Sequence, residues 1–504
     1  MTATAAVVGQ SAEADYTIPW EATTTVNAGS GNFAPYYIMS NNHGLPTQPI
    51  AAYETASLKR KLSTEHRFEY GFGAKASAGW NKGTSYARYD GTELRMEKRH
   101  QPYIFLQELY GEVKFRGVFL TVGMKENDRS LFDSQLGIGD ITLSENARAV
   151  PQVRIGFIDF QNIPFTNKWV QIQAEAAYGK FMDSRWLEDH YNYYNSFITT
   201  GTWFHYKRCY FRTNPDKPFS VTVGMQHAAQ FGGDWRVYED GQLTYRHKQK
   251  TGLKDFLDVF VQKKGKSGST DGDRQYYNGN HLGSWDFQAR YRLRSGHTLT
   301  AYFQWPWEDG SGIGKLNGFD GVWGLKYEAP GRAVITGAAV EYVDFTNQSG
   351  PIHWAPGDHP GTGIHGEATG ADDYYNNFMY NGWTNYGMSL GTPFITAPVY
   401  NRDGYMRYAD NRIRGFQAAV KGNWVKNLEY RLTASHRTSW GTYLSPRDRK
   451  LHDFSMMAEA TYSFPKIKGL SLRGVVAFDS GSLMGNNAGV LVSLTYSGLI
   501  KFKR

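Results

Sequence analysis

Residues 490–502 alternate with a period of two. Val490, Val492, Leu494, Tyr496, Gly498, Ile500 and Phe502 share one face; Leu491, Ser493, Thr495, Ser497, Leu499 and Lys501 share the other. Successive strand side chains point to opposite faces, so the segment has one apolar surface and one mostly polar one. A soluble sandwich satisfies such a strand with a core inside and water outside. A membrane barrel satisfies it inverted, with lipid outside and polar groups within.

The pattern recurs along the chain. Phe454, Met456, Ala458, Ala460, Tyr462 and Phe464 alternate with Asp453, Ser455, Glu459, Thr461 and Ser463. Tyr70, Phe72, Ala74, Ala76, Ala78 and Trp80 alternate with Gly71, Gly73, Lys75, Ser77 and Gly79. Similar sets begin at Val170, Trp285 and Tyr430. Counting back from Phe502, pattern alone predicts sixteen strands, the first near 68–80. If the chain ends in the periplasm, connections on that side include Ser295-Gly296, Pro330-Gly331 and Lys426-Asn427, all short. The opposite connections, such as 126–150, 229–283 and 347–413, are long. A sandwich has no reason to sort its loops by parity, whereas outer-membrane barrels have short periplasmic turns and long external loops. The expected fold is therefore all-β, a transmembrane antiparallel outer-membrane β-barrel of 16–18 strands. A hairpin within 36–66 or in one of the two long loops would preserve parity and bring the count to eighteen. The expected organisation is a residual export signal over 1–14, a periplasmic N-terminal segment over 15–67 and the barrel over 68–504. The Ala12-Glu13-Ala14 triplet carries the first expectation. Phe256, Val259 and Phe260 have helical spacing, which predicts a short amphipathic helix within the external loop near 255–262.

Composition agrees. Mean hydropathy is −0.54, and no run approaches the roughly 20 apolar residues of a membrane helix. The 34 Tyr and 14 Trp suit a bilayer interface, where an apolar ring meets lipid and a polar tip meets water. The single Cys209 excludes an internal disulfide framework and a thiolate cluster. The net charge of +8 favours polyanionic partners weakly, and its scatter along the chain argues against nucleic acid.

No motif points to catalysis, a metal or a cofactor. Gly310-Ser311-Gly312-Ile313-Gly314-Lys315 lacks phosphate-loop spacing. Asp271-Gly272-Asp273 lacks the glycine and closing glutamate of a calcium loop, with Tyr276 at the glycine position. His353, His359 and His365 lack metal-helix spacing. The loops are more informative. Segment 371–393 interleaves flat rings with carboxylates and amides: Asp372, Asp373, Tyr374, Tyr375, Asn376, Tyr380, Trp383 and Tyr386. Rings that stack on sugars beside groups that bond hydroxyl pairs suit carbohydrate. The same aromatics equally suit packing of the loop over the barrel mouth. Segment 182–201, with Trp186, His190, Tyr191, Tyr193 and Tyr194, reads the same way with more weight on packing. Arg290, Arg292 and Arg294 form a basic stripe on the lumen face, either to attract acidic polymer or to balance acids on neighbouring strands.

Three stretches carry a family resemblance. Leu136-Gly137-Ile138-Gly139-Asp140 with Ser144-Glu145-Asn146-Ala147-Arg148-Ala149-Val150-Pro151 is the first. Asp372-Asp373-Tyr374-Tyr375-Asn376 with Gly391-Thr392-Pro393 is the second, and Phe33-Ala34-Pro35-Tyr36-Tyr37 with Asn42-His43-Gly44 is the third. Together they resemble the Wzi-type capsule assembly family, in a form like its Bacteroidetes members. The resemblance implies 18 strands, the preferred count, and a lectin rather than an enzyme. It implies capsular or other surface polysaccharide and outer-membrane lipid as partners, with a monomer as the default. The prolines at 19, 35, 46 and 49 discourage the helical periplasmic bundle of enterobacterial members. A passive or substrate-specific outer-membrane channel is the alternative.

Overall fold

In a computed structural model of the protein, residues 16–502 are described, apart from 128, 264–277, 309, 314, 316, 352 and 356–366. The expected export signal over 1–14, Asp271-Gly272-Asp273, His359 and His365 lie outside the described residues.

Eighteen antiparallel strands close into one barrel. The first six are β1 (Tyr16–Ser30), β2 (Ala51–Arg60), β3 (Phe68–Asn81), β4 (Ile104–Phe115), β5 (Val118–Met124) and β6 (Gln152–Phe157, resuming at Gln161–Asn162). The next six are β7 (Val170–Lys180), β8 (Trp203–Thr213), β9 (Phe219–Phe231), β10 (Asn280–Arg292), β11 (Thr298–Trp307) and β12 (Gly321–Glu328). The last six are β13 (Gly337–Asp344), β14 (Ile413–Val425), β15 (Leu428–Gly441), β16 (Pro446–Ser463), β17 (Leu470–Gly481) and β18 (Asn487–Phe502). Each pairs with its sequence neighbours, and β1 closes the ring on β18 from Tyr16↔Phe502 to Ser30↔Ala488. Closure leaves no unpaired edge, which a strand crossing lipid requires.

The period of two decides which side chains meet lipid. On β18 Val490, Val492, Leu494 and Tyr496 are exposed outward, while Leu491 and Ser493 are buried inward. On β3 Tyr70 and Trp80 are exposed and Ser77 is buried. Exposed apolar rows on a closed barrel need hydrocarbon around them, so the wall spans a membrane.

The segment 15–67 is not a periplasmic lead-in. It supplies β1 and β2, the hairpin missing from the pattern count. Their outward faces mix Trp20, Val26 and Leu58 with Ala22, Thr24, Ala28, Ala52, Glu54 and Ala56, and Thr24 Oγ1 is bonded to Glu54 Oε1 at 2.6 Å. Small and polar outward residues give little hydropathy contrast, so alternation alone does not reveal the pair. Loop parity holds: 61–67, 116–117, 293–297 and 426–427 lie at one end, and 31–50, 125–151, 232–279 and 345–412 at the other. Two external connections, 442–445 and 482–486, are as short as periplasmic turns. At the first of these, β16 begins with the exposed polar Arg447, Asp448, Arg449 and Lys450, which fall in a register break between Ser439↔Leu451 and Gly441↔Pro446.

The external loops carry structure of their own. Thr84–Tyr89 pairs with Leu94–Arg99, and Gly233–Glu239 pairs with both Ser196–Thr200 and Gln242–Gln249. Short helices include α1 (Tyr36–Met39), α2 (Ser184–His190) and α3 (Leu253–Phe260). As its spacing predicts, α3 is amphipathic. Its Val259 is buried with Ala229 and Phe231 on the outside of the wall, while Leu253 and Leu257 are exposed.

Candidate functional site

An eighteen-stranded barrel is wide enough to hold a water-filled channel unless something occupies it. Here three external loops, 31–50, 125–151 and 345–412, fold back into the lumen. The middle loop reaches walls on opposite sides. Ile138 N donates to Glu341 Oε2 of β13 at 2.7 Å, and Ile141 N donates to Gln304 Oε1 of β11 at 2.9 Å. Gln226 Nε2 of β9 donates to Asp140 Oδ2 at 2.8 Å. On the opposite side Lys75 Nζ of β3 meets Glu126 Oε1 at 2.8 Å, while two strands along from β13 Arg431 of β15 donates to the Gln135 carbonyl at 3.1 Å. From loop 31–50, Tyr36 N donates to the Asp479 carboxylate of β17 at 3.0 Å, and its ring lies 4.0 Å from the Arg437 guanidinium of β15. The three loops form a plug.

The plug has an apolar core shared with the wall. Ile138, Ile141, Tyr375, Trp383, Leu390 and Phe394 pack with Phe204, Tyr206, Leu282 and Val343 of the strands. Polar backbone that enters this core is bonded, as burial demands. Asn146 joins all three loops. Its Oδ1 accepts from Asn41 N at 3.1 Å, its Nδ2 donates to the Ser389 carbonyl at 3.0 Å, and its own carbonyl accepts from Gly44 N at 2.8 Å. Ser144 Oγ donates to the Gly391 carbonyl at 2.7 Å, and Thr392 Oγ1 donates to that of Ile138 at 2.8 Å. The three stretches that carry the family resemblance thus meet one another inside the plug.

Most of the sugar-stacking candidates are plug interior. Asp372, Asp373, Tyr374, Tyr375, Asn376, Tyr380 and Trp383 are all buried, Trp383 at 0% exposure. Asp372 accepts from Ser349 Oγ at 2.7 Å, and Asp373 accepts from Asn411 Nδ2 at 2.7 Å. Tyr374 Oη donates to Asp320 at 3.1 Å. Asn376 is tied to the Tyr408 backbone in both directions, at 2.8 and 2.9 Å. Trp383 stacks on Phe204 and donates Nε1–H to the Thr142 carbonyl at 2.7 Å. Of the two uses open to these rings, the geometry displays packing. The reason is lumen volume, which must be filled, and large aromatics that also carry a polar handle fill it with few orphaned groups. Tyr386 is the exception and remains partly exposed.

The basic stripe is smaller than expected. Arg290 and Arg292 point to the lumen side and donate to the carbonyls of Pro215 and Asp216 in the neighbouring turn. Arg294 lies beyond the end of β10, in the turn, and is exposed. Carbonyl oxygens, rather than acids on adjacent strands, are the partners of the first two. Elsewhere the lumen wall carries ion pairs such as Arg208–Glu175 at 3.1 Å and Arg473–Glu459 at 2.7 Å.

On the outer side of the plug, the loops leave a small cleft of about 30 Å³. Its walls are Gln48, Tyr86, Gln101, Arg148, Trp186, His190, Asn385 and Tyr386, with Gly44, Thr47, Pro102, Met388 and Val399 between them. Trp186 stacks on His190 at 4.0 Å, and Tyr86 meets the same imidazole edge-on at 5.2 Å. The Trp186 ring lies over Gly387, where a Cβ would come within 2.1 Å of the indole and φ is +73°, so glycine is required on both counts. Burial pushes His190 down to about 4, leaving a neutral ring at neutral pH. Burial pushes Asp183, behind the cleft, up to about 6, opposed by the Tyr386 N–H that its carboxylate accepts at 3.1 Å. Thr47 Oγ1 and Asn385 Oδ1 are buried in the cleft floor without a hydrogen-bond partner. Of the aromatic candidates in 182–201, Trp186 and His190 reach this cleft. Tyr191 and Tyr193 pack with Tyr238 of the outer hairpin, and Tyr194 with Tyr89. Gln48, Gln101 and Arg148 escaped sequence reasoning as site residues. Only Arg148 carried a signal there, as the lone cation of the first motif.

At the level of sequence, no family model and no curated protein matches the chain. Solved structures do. One is Wzi of Escherichia coli, described as an outer-membrane protein involved in group 1 capsule assembly and a carbohydrate-binding β-barrel. It aligns with a TM-score of 0.56 at 11% identity, over 96% of this chain and 85% of that one. OccK3 (OpdO) of Pseudomonas aeruginosa aligns with a TM-score of 0.45 at 12% identity, over 96% of each chain. OprD of the same species gives 0.44 at 10%, over 96% of this chain and 95% of that one. The fold is that of an outer-membrane barrel, and the outer membrane is where a closed barrel with this lipid-facing wall resides.

Proposed function

We propose that this barrel is a non-enzymatic, lectin-like surface protein that supports attachment or assembly of capsular or other surface polysaccharide. The observation that carries the reading is the plug. Loops bonded to opposite walls occupy the outer lumen, and their outer side offers a cleft walled by rings and amides. Such a barrel spends its loops on presenting a surface rather than on lining a passage. Stacking of sugar C–H faces on the partly exposed Trp186 or Tyr386, with hydroxyls bonded by the partly exposed Gln101 beside them, is the non-catalytic mechanism. That the Escherichia coli barrel of like fold binds carbohydrate supports the same reading. Partners would be the polysaccharide and outer-membrane lipid, with the barrel acting as a monomer.

Deletion of the gene, followed by capsule imaging and assay of polymer shed into the medium, tests the proposal. Shed polymer and a thinned capsule are expected; a fully retained capsule overturns it. The rival is a solute channel. Purified protein in a planar bilayer should be electrically silent, and steady ohmic conductance would favour the channel.

A further inference from the structure

Along the sequence the net charge of +8 is scattered, but in space it is gathered at one end of the barrel. The eight turns of the periplasmic end, 61–67, 116–117, 163–169, 214–218, 293–297, 329–336, 426–427 and 464–469, hold ten Lys and Arg against two acids, Glu65 and Asp216. Every turn has at least one base, and the rest of the chain cancels. On the adjoining strand ends Asp159, Glu328 and Glu429 are offset by Arg292, Lys326 and Lys501. All ten bases are exposed, and none is in an ion pair among the described residues.

Nine of the ten lie within two residues of a large exposed apolar side chain. Arg67 is next to Phe68, Arg116 to Phe115, Lys168 to Trp169 and Lys426 to Val425, and Lys466 and Lys468 bracket Ile467. The Lys217 ammonium lies 5.7 Å from the centroid of the exposed Trp169 ring, and the Arg116 guanidinium 5.6 Å from that of Phe115. A strand rises about 3.3 Å per residue, so turns this short keep their charges at the lower edge of the lipid-facing band. Exposed rings belong in hydrocarbon, and long cationic side chains beside them reach for the headgroups. Phosphates are the anions at that depth. A soluble polyanion would be met by cations turned to the lumen mouth, whereas these two ring contacts turn theirs outward.

We infer that the turns form a cationic ring that gathers anionic phospholipids of the inner leaflet around the foot of the barrel, phosphate on the cations and acyl chains against the apolar residues beside them. The inference stands on the barrel and not on the glycan reading, so either can fail alone.

Spin-labelled phosphatidylglycerol and phosphatidylcholine with identical chains, each in phosphatidylcholine vesicles holding the full-length barrel, test it by the fraction of label immobilised at the protein. Phosphatidylglycerol should associate about twofold more strongly, as charge near an anionic headgroup implies. Changing Lys168, Lys217, Lys426, Lys466 and Lys468 together to Gln should remove about half of that excess, because half of the cations are gone; Arg at the same five positions should keep it. Equal association of the two labels overturns the inference, also where soluble polyglucuronate is bound instead. A preference untouched by the Gln variant overturns it too, since the selecting charges would then lie elsewhere. Should that variant fail to assemble, salt at about 1 M, where the Debye length is about 3 Å, must erase the wild-type preference. A preference that survives such salt overturns the inference.

Discussion

The wall and the plug are held by opposite rules. In the wall, position along the strand decides everything: even residues of β18 meet lipid, odd ones meet the lumen, and hydrogen bonds run in ladders between neighbours. In the plug there is no period. Side chains reach carbonyls far away in sequence, as Asn146 reaches Ser389 and Trp383 reaches Thr142. The wall therefore tolerates substitutions that preserve polarity at a given parity. The plug tolerates few, because one truncated ring or amide leaves both a void and an orphaned partner.

Trp383→Ala should break this contrast most strongly. Truncating a fully buried tryptophan costs about 3–5 kcal/mol, and the Thr142 carbonyl loses its donor as well. The barrel should still show heat-modifiable migration on gels, because no ladder bond is touched. Protease should now cleave within 345–412, and the silent barrel should begin to conduct. An unchanged protease pattern would mean that the plug does not depend on this core.

Leu494→Arg is the matching assault on the wall. The side chain faces outward near the middle of β18, where a charge against hydrocarbon costs about 2–4 kcal/mol. The neighbouring Thr495→Arg, which points to the lumen, should cost a fraction of that. Unfolding in urea from lipid vesicles measures both. Equal costs would refute the assignment of faces.

That assignment was legible because lipid imposes a binary choice on every second residue, and the signal repeats strand after strand. It faded in β1 and β2, where Ala22, Ala28, Ala52, Ala56, Thr24 and Glu54 dilute the outward face that Trp20, Val26 and Leu58 share. The plug was visible only as motifs. Ser144, Asn146, Tyr375 and Thr392 stood out by resemblance, but nothing in their order says that they meet, since their contacts to one another's loops span 234 to 254 residues. The rings of 371–393 fit sugar and packing equally well by composition, and only burial separates the two uses. Among the eight residues singled out there, Tyr386 kept a partly exposed surface.

A third test concerns the seam between wall and cleft. The carboxyl of Asp183 is raised by burial from 3.8 to about 6, so the folded state holds its proton more tightly, and stability falls as pH rises through that window. His190 is depressed by burial from 6.5 to about 4, so it contributes the opposite slope, with stability lost as pH falls from 6.5 towards 4. The two largely offset one another. Asp183→Asn keeps an acceptor for Tyr386 N–H while removing the titration. Hydrogen exchange in 182–201, corrected for intrinsic rates, should then reveal the His190 slope alone, with a net change near pH 5 of about 2 kcal/mol. A profile identical to wild type would show that Asp183 is not buried as described.

The smallest effect is expected where neither rule applies. The outer hairpin carries Arg246, which grips Asp234 through two bonds of 2.9 and 2.8 Å. The geometry is as good as that of Arg437 with Asp453 at 2.9 Å, but Arg437 is fully buried and Arg246 is exposed to water on its outer side. Removing one partner of a buried pair strands a charge and costs about 3–5 kcal/mol. An exposed pair in high dielectric contributes little, because water screens it. Arg246→Ala should therefore leave thermal unfolding, protease resistance and polysaccharide retention essentially unchanged, whereas Arg437→Ala should loosen Tyr36 and with it the 31–50 limb of the plug. If Arg246→Ala proved as damaging, the hairpin would have to be counted as part of the plug rather than as an appendage above it.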